Sequence, residues 1–171
     1  MWIVRICLLI ALLGIHAGGP AFAEDVGAVV SQWVGKYPLE KIVNDKSLWE
    51  QPAILAVLSA AMGTRFFAAL EKARHGPEAP VAADGKGHFV AWSCNETEDC
   101  SGNNMTAYFN AADGAAEVCW RSSDGADSPA KDLWLAKGEA RPLPLNGCGI
   151  GDKDPFASFK RYGNGATPGQ P

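Results

Sequence analysis

The most unusual local segment of the chain is Cys94-Asn95-Glu96-Thr97-Glu98-Asp99-Cys100, in which three acidic side chains stand between two cysteines. A disulfide between the flanking cysteines would tie the segment at its base. Asn95, Glu96, Thr97, Glu98 and Asp99 would then lose little conformational entropy when they dock on a partner. A purely local use, finishing a hairpin on a small exported protein, is the competing reading of the same spacing. The oxygens of Asn95, Glu96, Glu98 and Asp99 are hard ligands of the kind calcium takes. An EF-hand needs a turn glycine and a closing bidentate glutamate, and the segment has neither, so a solvated acidic loop is expected rather than a metal site. Acid–base catalysis would call on His75 or His88, and His88, expected on a strand near the loop, is the candidate to work with Glu96, although a lone strand histidine is more often a satisfied surface or sheet residue. With no nucleophile elbow or zinc motif beside them, the expectation is no enzyme and no cofactor.

The compartment follows from the other end of the chain. Met1 to Arg5 is a short n-region with one cation, Ile6 to Ile15 is almost unbroken apolar sequence, and Ala21-Phe22-Ala23 is a small-x-small cleavage site. Residues 1–23 therefore read as a signal peptide cleaved near Ala23, which places the chain in the periplasm or outside the cell. The apolar stretch is half the roughly 20 residues a membrane span needs, so no stable membrane anchor is expected. Cys7 leaves with the leader, and Cys94, Cys100, Cys119 and Cys148 remain. An even set without a C-x-x-C pair favours disulfides in an oxidising compartment. Three connectivities are open. The short loop from Cys94 to Cys100 is preferred, which leaves Cys119 with Cys148.

Positioning these residues requires a folded domain, and the composition supplies one. Of 171 residues, 47% are hydrophobic and 20% charged, so the chain is no disordered tail. Helical spacing runs through Val26, Val29, Val30, Trp33 and Val34, and Gly35 and Pro38 end it. Ser47-Leu48-Trp49-Glu50 has the form of a capping box, with Pro52 in the first turn of the helix that follows. Ile54, Leu55, Leu58 and Met62 form the apolar stripe. Gly63 supplies a left-handed stop, and Thr64 opens a further helix with Phe66, Phe67 and Leu70.

After Pro80 the pattern changes to strands at His88 to Ser93, Met105 to Asn110, Ala115 to Arg121 and Leu133 to Ala136, with a hairpin turn at Asp113-Gly114. Trp92, Trp120 and Trp134 are expected to pack rather than to stack on a ligand. The fold class is thus α+β, with N-terminal helices packed on one face of an antiparallel β-sheet meander. Residues 24–151 form the single domain, and 152–171 form a mostly flexible C-terminal tail. The net charge of −4 excludes a general nucleic-acid binder and suits a basic protein partner; a homodimer stays open. Asn95-Glu96-Thr97 and Asn104-Met105-Thr106 also fit the glycosylation pattern.

The strand ending in Trp92-Ser93-Cys94, the polar loop closing with Asp99-Cys100, the Ser101-Gly102 pair and the strand Met105 to Asn110 together resemble the periplasmic inhibitors of vertebrate lysozyme. The likeness covers roughly residues 91–120. It implies a helix-flanked antiparallel sheet, no catalysis, and inhibition by a disulfide-tied loop inserted into the lysozyme cleft. The family loop reads Cys-Lys-Pro-His-Asp-Cys, whereas this chain places five residues between its cysteines and has Glu98 where the histidine stands. A histidine there meets the two catalytic carboxylates of the target, and glutamate has the opposite sign. At about 4 Å and an effective dielectric of about 20, exchanging attraction for repulsion costs about 8 kcal/mol per contact. Glu96, Glu98 and Asp99 instead suit cationic residues on the rim of a basic enzyme. The function expected is an exported lysozyme-inhibitor-like protein acting on the cleft or rim of a lysozyme or another cell-wall hydrolase. A periplasmic calcium-binding module, a relative that has lost inhibition and a small hydrolase are the alternatives.

Overall fold

The computed structural model describes residues 25–74, 76–94, 100, 102–123, 131–144, 146–148 and 153–164. Helix α1 spans Val26–Ser31, and the Asp25 carboxylate caps it by accepting from Gly27 N at 2.9 Å and Ala28 N at 3.3 Å. It is shorter than its apolar spacing predicts. Trp33 is fully buried beyond its end, where Nε1 donates to Glu40 O at 3.0 Å, and Val34 forms a parallel bridge to Val81. Gly35, at φ +78°, turns the chain there and donates to Val81 O at 2.8 Å.

The Glu50 carboxylate accepts both the backbone N–H and the hydroxyl of Ser47, each at 2.8 Å. This box caps a short 3₁₀ turn, Leu48–Glu50, and not the long helix expected to follow it directly. Helix α2, Pro52–Ala73, begins one residue later with Pro52 in its first turn, where a missing N–H costs nothing. It breaks at Gly63, whose φ of 67° and ψ of 168° suit glycine alone. Ile54, Leu58, Met62 and Leu70 are fully buried along its inner face.

Six strands follow, β1 Glu78–Ala83, β2 His88–Cys94, β3 Asn104–Asn110, β4 Ala115–Ser122, β5 Lys131–Ala136 and β6 Glu139–Leu143. They form one antiparallel sheet in sequence order. Two of them, β1 and β6, are not expected from sequence. Each carries a proline, Pro80 or Pro142, and each lies at an edge, where a missing ladder N–H is tolerated. The fold is α+β.

Alternation along the strands gives two apolar faces. Phe89, Ala91, Met105, Ala107, Phe109, Val118, Trp120 and Leu135 pack in one core with residues of α1 and α2. Val90, Tyr108, Cys119 and Trp134 face the other way and pack with Cys148 and Phe156. Trp120 and Trp134 are buried as expected, and Trp92 is half-buried. The second face is too apolar to be left to water, and chain beyond Asp152, expected to trail off, crosses it. Phe156 is buried there, and helix α3, Ala157–Tyr162, sets Phe159 against Tyr108 at 5.4 Å and Tyr162 against Trp134 at 6.2 Å between ring centroids.

Candidate functional site

Two places in this frame hold groups capable of binding, at opposite ends of the central strands. The first is the tip between β2 and β3. Cys94 closes β2 opposite Asn104, which opens β3, and the disulfide joins Cys94 to Cys100 with their Cα atoms 5.3 Å apart. The returning limb is fastened separately. Asn104 Nδ2 donates to Cys100 O at 2.7 Å, and the Asn103 amide exchanges two hydrogen bonds with Ser123, to Oγ at 2.9 Å and from its N–H at 3.1 Å. Asn95, Glu96, Thr97, Glu98 and Asp99 lie outside the described residues. Asn104 and Thr106 are buried in β3, so the second glycosylation pattern is closed to modification.

The second disulfide joins Cys119 of β4 to Cys148, Cα to Cα 5.3 Å, and pins the crossing segment to the second face. Beside it Asp132, its side chain fully buried, accepts from Arg121 Nε at 2.8 Å and Nη2 at 2.9 Å and from Cys148 N at 3.0 Å. Arg121 Nη2 also donates to Asn146 Oδ1 at 2.9 Å. This bidentate pair holds the crossover.

His88 begins β2, so it stands six strand residues, roughly 20 Å, from Cys94. Glu96, the acid expected to work with it, lies outside the described residues, and His88 is a satisfied strand histidine. Its partner is Asp84, whose Oδ2 lies 2.7 Å from His88 Nδ1 and whose Oδ1 accepts from Lys86 N at 2.7 Å and His88 N at 3.1 Å. Burial raises the Asp84 pKa, but the hydrogen bonds from His88 and Lys86 and the charge on His88 outweigh it and hold the carboxyl below its ordinary value. The sequence does carry a signal for the pair, a carboxylate and an imidazole flanking the Gly85-Lys86-Gly87 turn.

His88 forms one wall of a cavity of about 410 Å³ at that end of the sheet. Phe159 forms another, its ring 5.2 Å from the imidazole. The floor is Tyr108 and Glu117, both buried, and the rim carries the exposed Asp113 and Lys137. Burial pushes the Tyr108 phenol far above its ordinary range, with a nearby hydrogen-bonding hydroxyl at Ser158 lowering it and Asp154 raising it. Sequence does not single out Glu117, because a lone glutamate in an alternating strand gives no sign of facing inward. Among the described residues, no three His, Cys, Asp or Glu side chains converge to hold a metal ion. No family model, curated protein or solved structure matches the chain.

Proposed function

We propose that the chain is an exported inhibitor of the lysozyme-inhibitor type. It presents Asn95, Glu96, Thr97, Glu98 and Asp99 to the cleft or the cationic rim of a basic cell-wall hydrolase. The observation that supports this reading most is the double fastening of the loop's base. Cys94 ends a central strand and is bridged to Cys100, whose carbonyl is held by Asn104. A partner would meet a segment with its ends already set, and the ordering cost of docking falls accordingly. Three acidic residues in five positions also favour fast encounter with a basic target. The two disulfides fit a periplasmic or secreted location, and among the described residues no helix is long and apolar enough to cross a membrane.

Binding of the chain lacking residues 1–23 to chicken-type, goose-type and invertebrate-type lysozymes tests the proposal. At least one enzyme is expected to be bound and inhibited at micromolar concentration, with affinity falling as salt rises. The Cys94→Ser/Cys100→Ser variant should bind more weakly while retaining the fold. Failure to bind or inhibit all three overturns the reading for lysozymes.

A further inference from the structure

The cavity between His88, Phe159 and the β3–β4 turn takes no part in the loop mechanism, and its chemistry specifies a ligand of its own. We infer that it is a binding site for a small polyhydroxylated molecule carrying a protonated amine, an amino sugar in chemical class. Its volume of about 410 Å³ lies within the roughly 300–1,000 Å³ of small-molecule sites. Its lining sets two carboxylates beside the Tyr108 hydroxyl, the Asn110 and Asn164 amides and the Lys137 ammonium group. His88 lines the cavity with its ring held by Asp84, whose Oδ2 lies 2.7 Å from Nδ1. Glu117 accepts from Trp134 Nε1 and from Asn164 N, and a carboxylate with about four lone-pair sites keeps capacity for a further donor.

Two carboxylates, Asp113 and Glu117, face the cavity against one ammonium group, Lys137. An anionic ligand would bring acceptors against the acceptor-only carboxylates, and a wholly apolar one would strip water from Glu117 without replacing its hydrogen bonds. Hydroxyls and an ammonium group supply donors to both carboxylates, and the half-buried Phe159 is an apolar wall for the C–H side of a saturated ring. The site lies roughly 20 Å from Cys94, so it is independent of the inhibitor reading.

Amide-resolved NMR titration of the oxidised protein with glucosamine, and in parallel with glucose, tests the inference. Saturable shifts are expected at Asn110, Asp113, Ala115 and Lys137 with glucosamine, with glucose bound several-fold more weakly. Asp113→Asn keeps the oxygen that accepts Ala115 N at 3.0 Å and removes only the charge. It should weaken glucosamine by about fivefold and leave lysozyme capture unchanged. Ala115→Phe, at an exposed position on the cavity wall, should abolish the shifts without lowering the unfolding temperature. No saturable shift in the tens of millimolar, equal binding of glucose, or full binding by Ala115→Phe would each overturn the assignment.

Discussion

Trp134 Nε1 donates to Glu117 Oε2 at 2.5 Å from the neighbouring strand, and the same carboxylate accepts the N–H of Asn164 at 3.0 Å. A buried glutamate thus fastens an indole on β5 and the chain beyond α3 at one point. Glu117→Ala leaves the Trp134 N–H buried without a partner, which costs about 1–3 kcal/mol. Glu117→Gln keeps one acceptor oxygen and should lose less. Urea unfolding with the disulfides intact measures both, and equal losses for the two variants would show that the hydrogen bonds are not the source.

The two disulfides should separate stability from binding. Cys119 and Cys148 are 29 residues apart, while Cys94 and Cys100 are 6 apart. Loop-closure entropy assigns about 3.5 kcal/mol to the longer bridge and about 2 kcal/mol to the shorter. The longer bridge also holds the segment covering the second face. Replacing Cys119 and Cys148 by alanine should therefore lower the unfolding midpoint more than replacing Cys94 and Cys100 by serine, and the second pair should affect target binding more. A reversed order in either measurement contradicts this division of roles between the bridges.

The features legible in the sequence are those fixed by neighbours a few residues apart. The Ser47–Glu50 box, the Gly63 break and the Asp113-Gly114 hairpin each need only local geometry. β1 and β6 escape because Pro80 and Pro142 argue against strands unless the edge position is known. Phe156, Phe159 and Tyr162 look idle in a glycine-rich tail until Tyr108 and Trp134 are seen to face the same side of the sheet. The strand that carries His88 is legible, whereas the pairing of its imidazole with Asp84 depends on the geometry of the Gly85-Lys86-Gly87 turn.

Acid should weaken the fold through Asp84, whose pKa is lowered from an ordinary 3.8. A depressed carboxyl contributes stability above its unfolded value, and this is lost as pH falls through the folded one. Asp84→Asn should be less stable than wild type at neutral pH, with the difference closing below that range. Glu78 has the opposite sign. Burial raises its pKa above 4.5, although Trp49 Nε1 and Leu39 N both donate to it and lower it, while Glu40 raises it. Its contribution is present below the unfolded value and lost as pH rises through the folded one, so Glu78→Gln should gain on wild type as pH rises above the ordinary 4.5. Urea midpoints across pH should diverge in these two directions.

Gly63 is a sharper test of the α2 break. An L-residue at φ 67° and ψ 168° is strained by about 1–3 kcal/mol, and a Cβ would also meet the Gly138 carbonyl oxygen at 3.4 Å. Gly63→Ala should lose stability by that amount despite alanine's higher helix propensity. A stabilised variant would show that the helix can run through.

The return limb of the loop offers a test that global stability does not confound. Asn104 Nδ2 is the donor holding Cys100 O, and the ladder pairing of Asn104 with Arg121 uses backbone atoms alone. Asn104→Ala therefore releases the Cys100 carbonyl while leaving the strand register in place. Among the described residues the Asn104 side-chain oxygen has no hydrogen-bond partner, so removing the amide also removes a buried acceptor and offsets part of the loss. If loop presentation drives target binding, the variant should dissociate faster from a bound lysozyme, with association governed by the unchanged acidic residues. A change confined to the association rate, or none in either rate, would mean that the fastening of Cys100 does not serve binding.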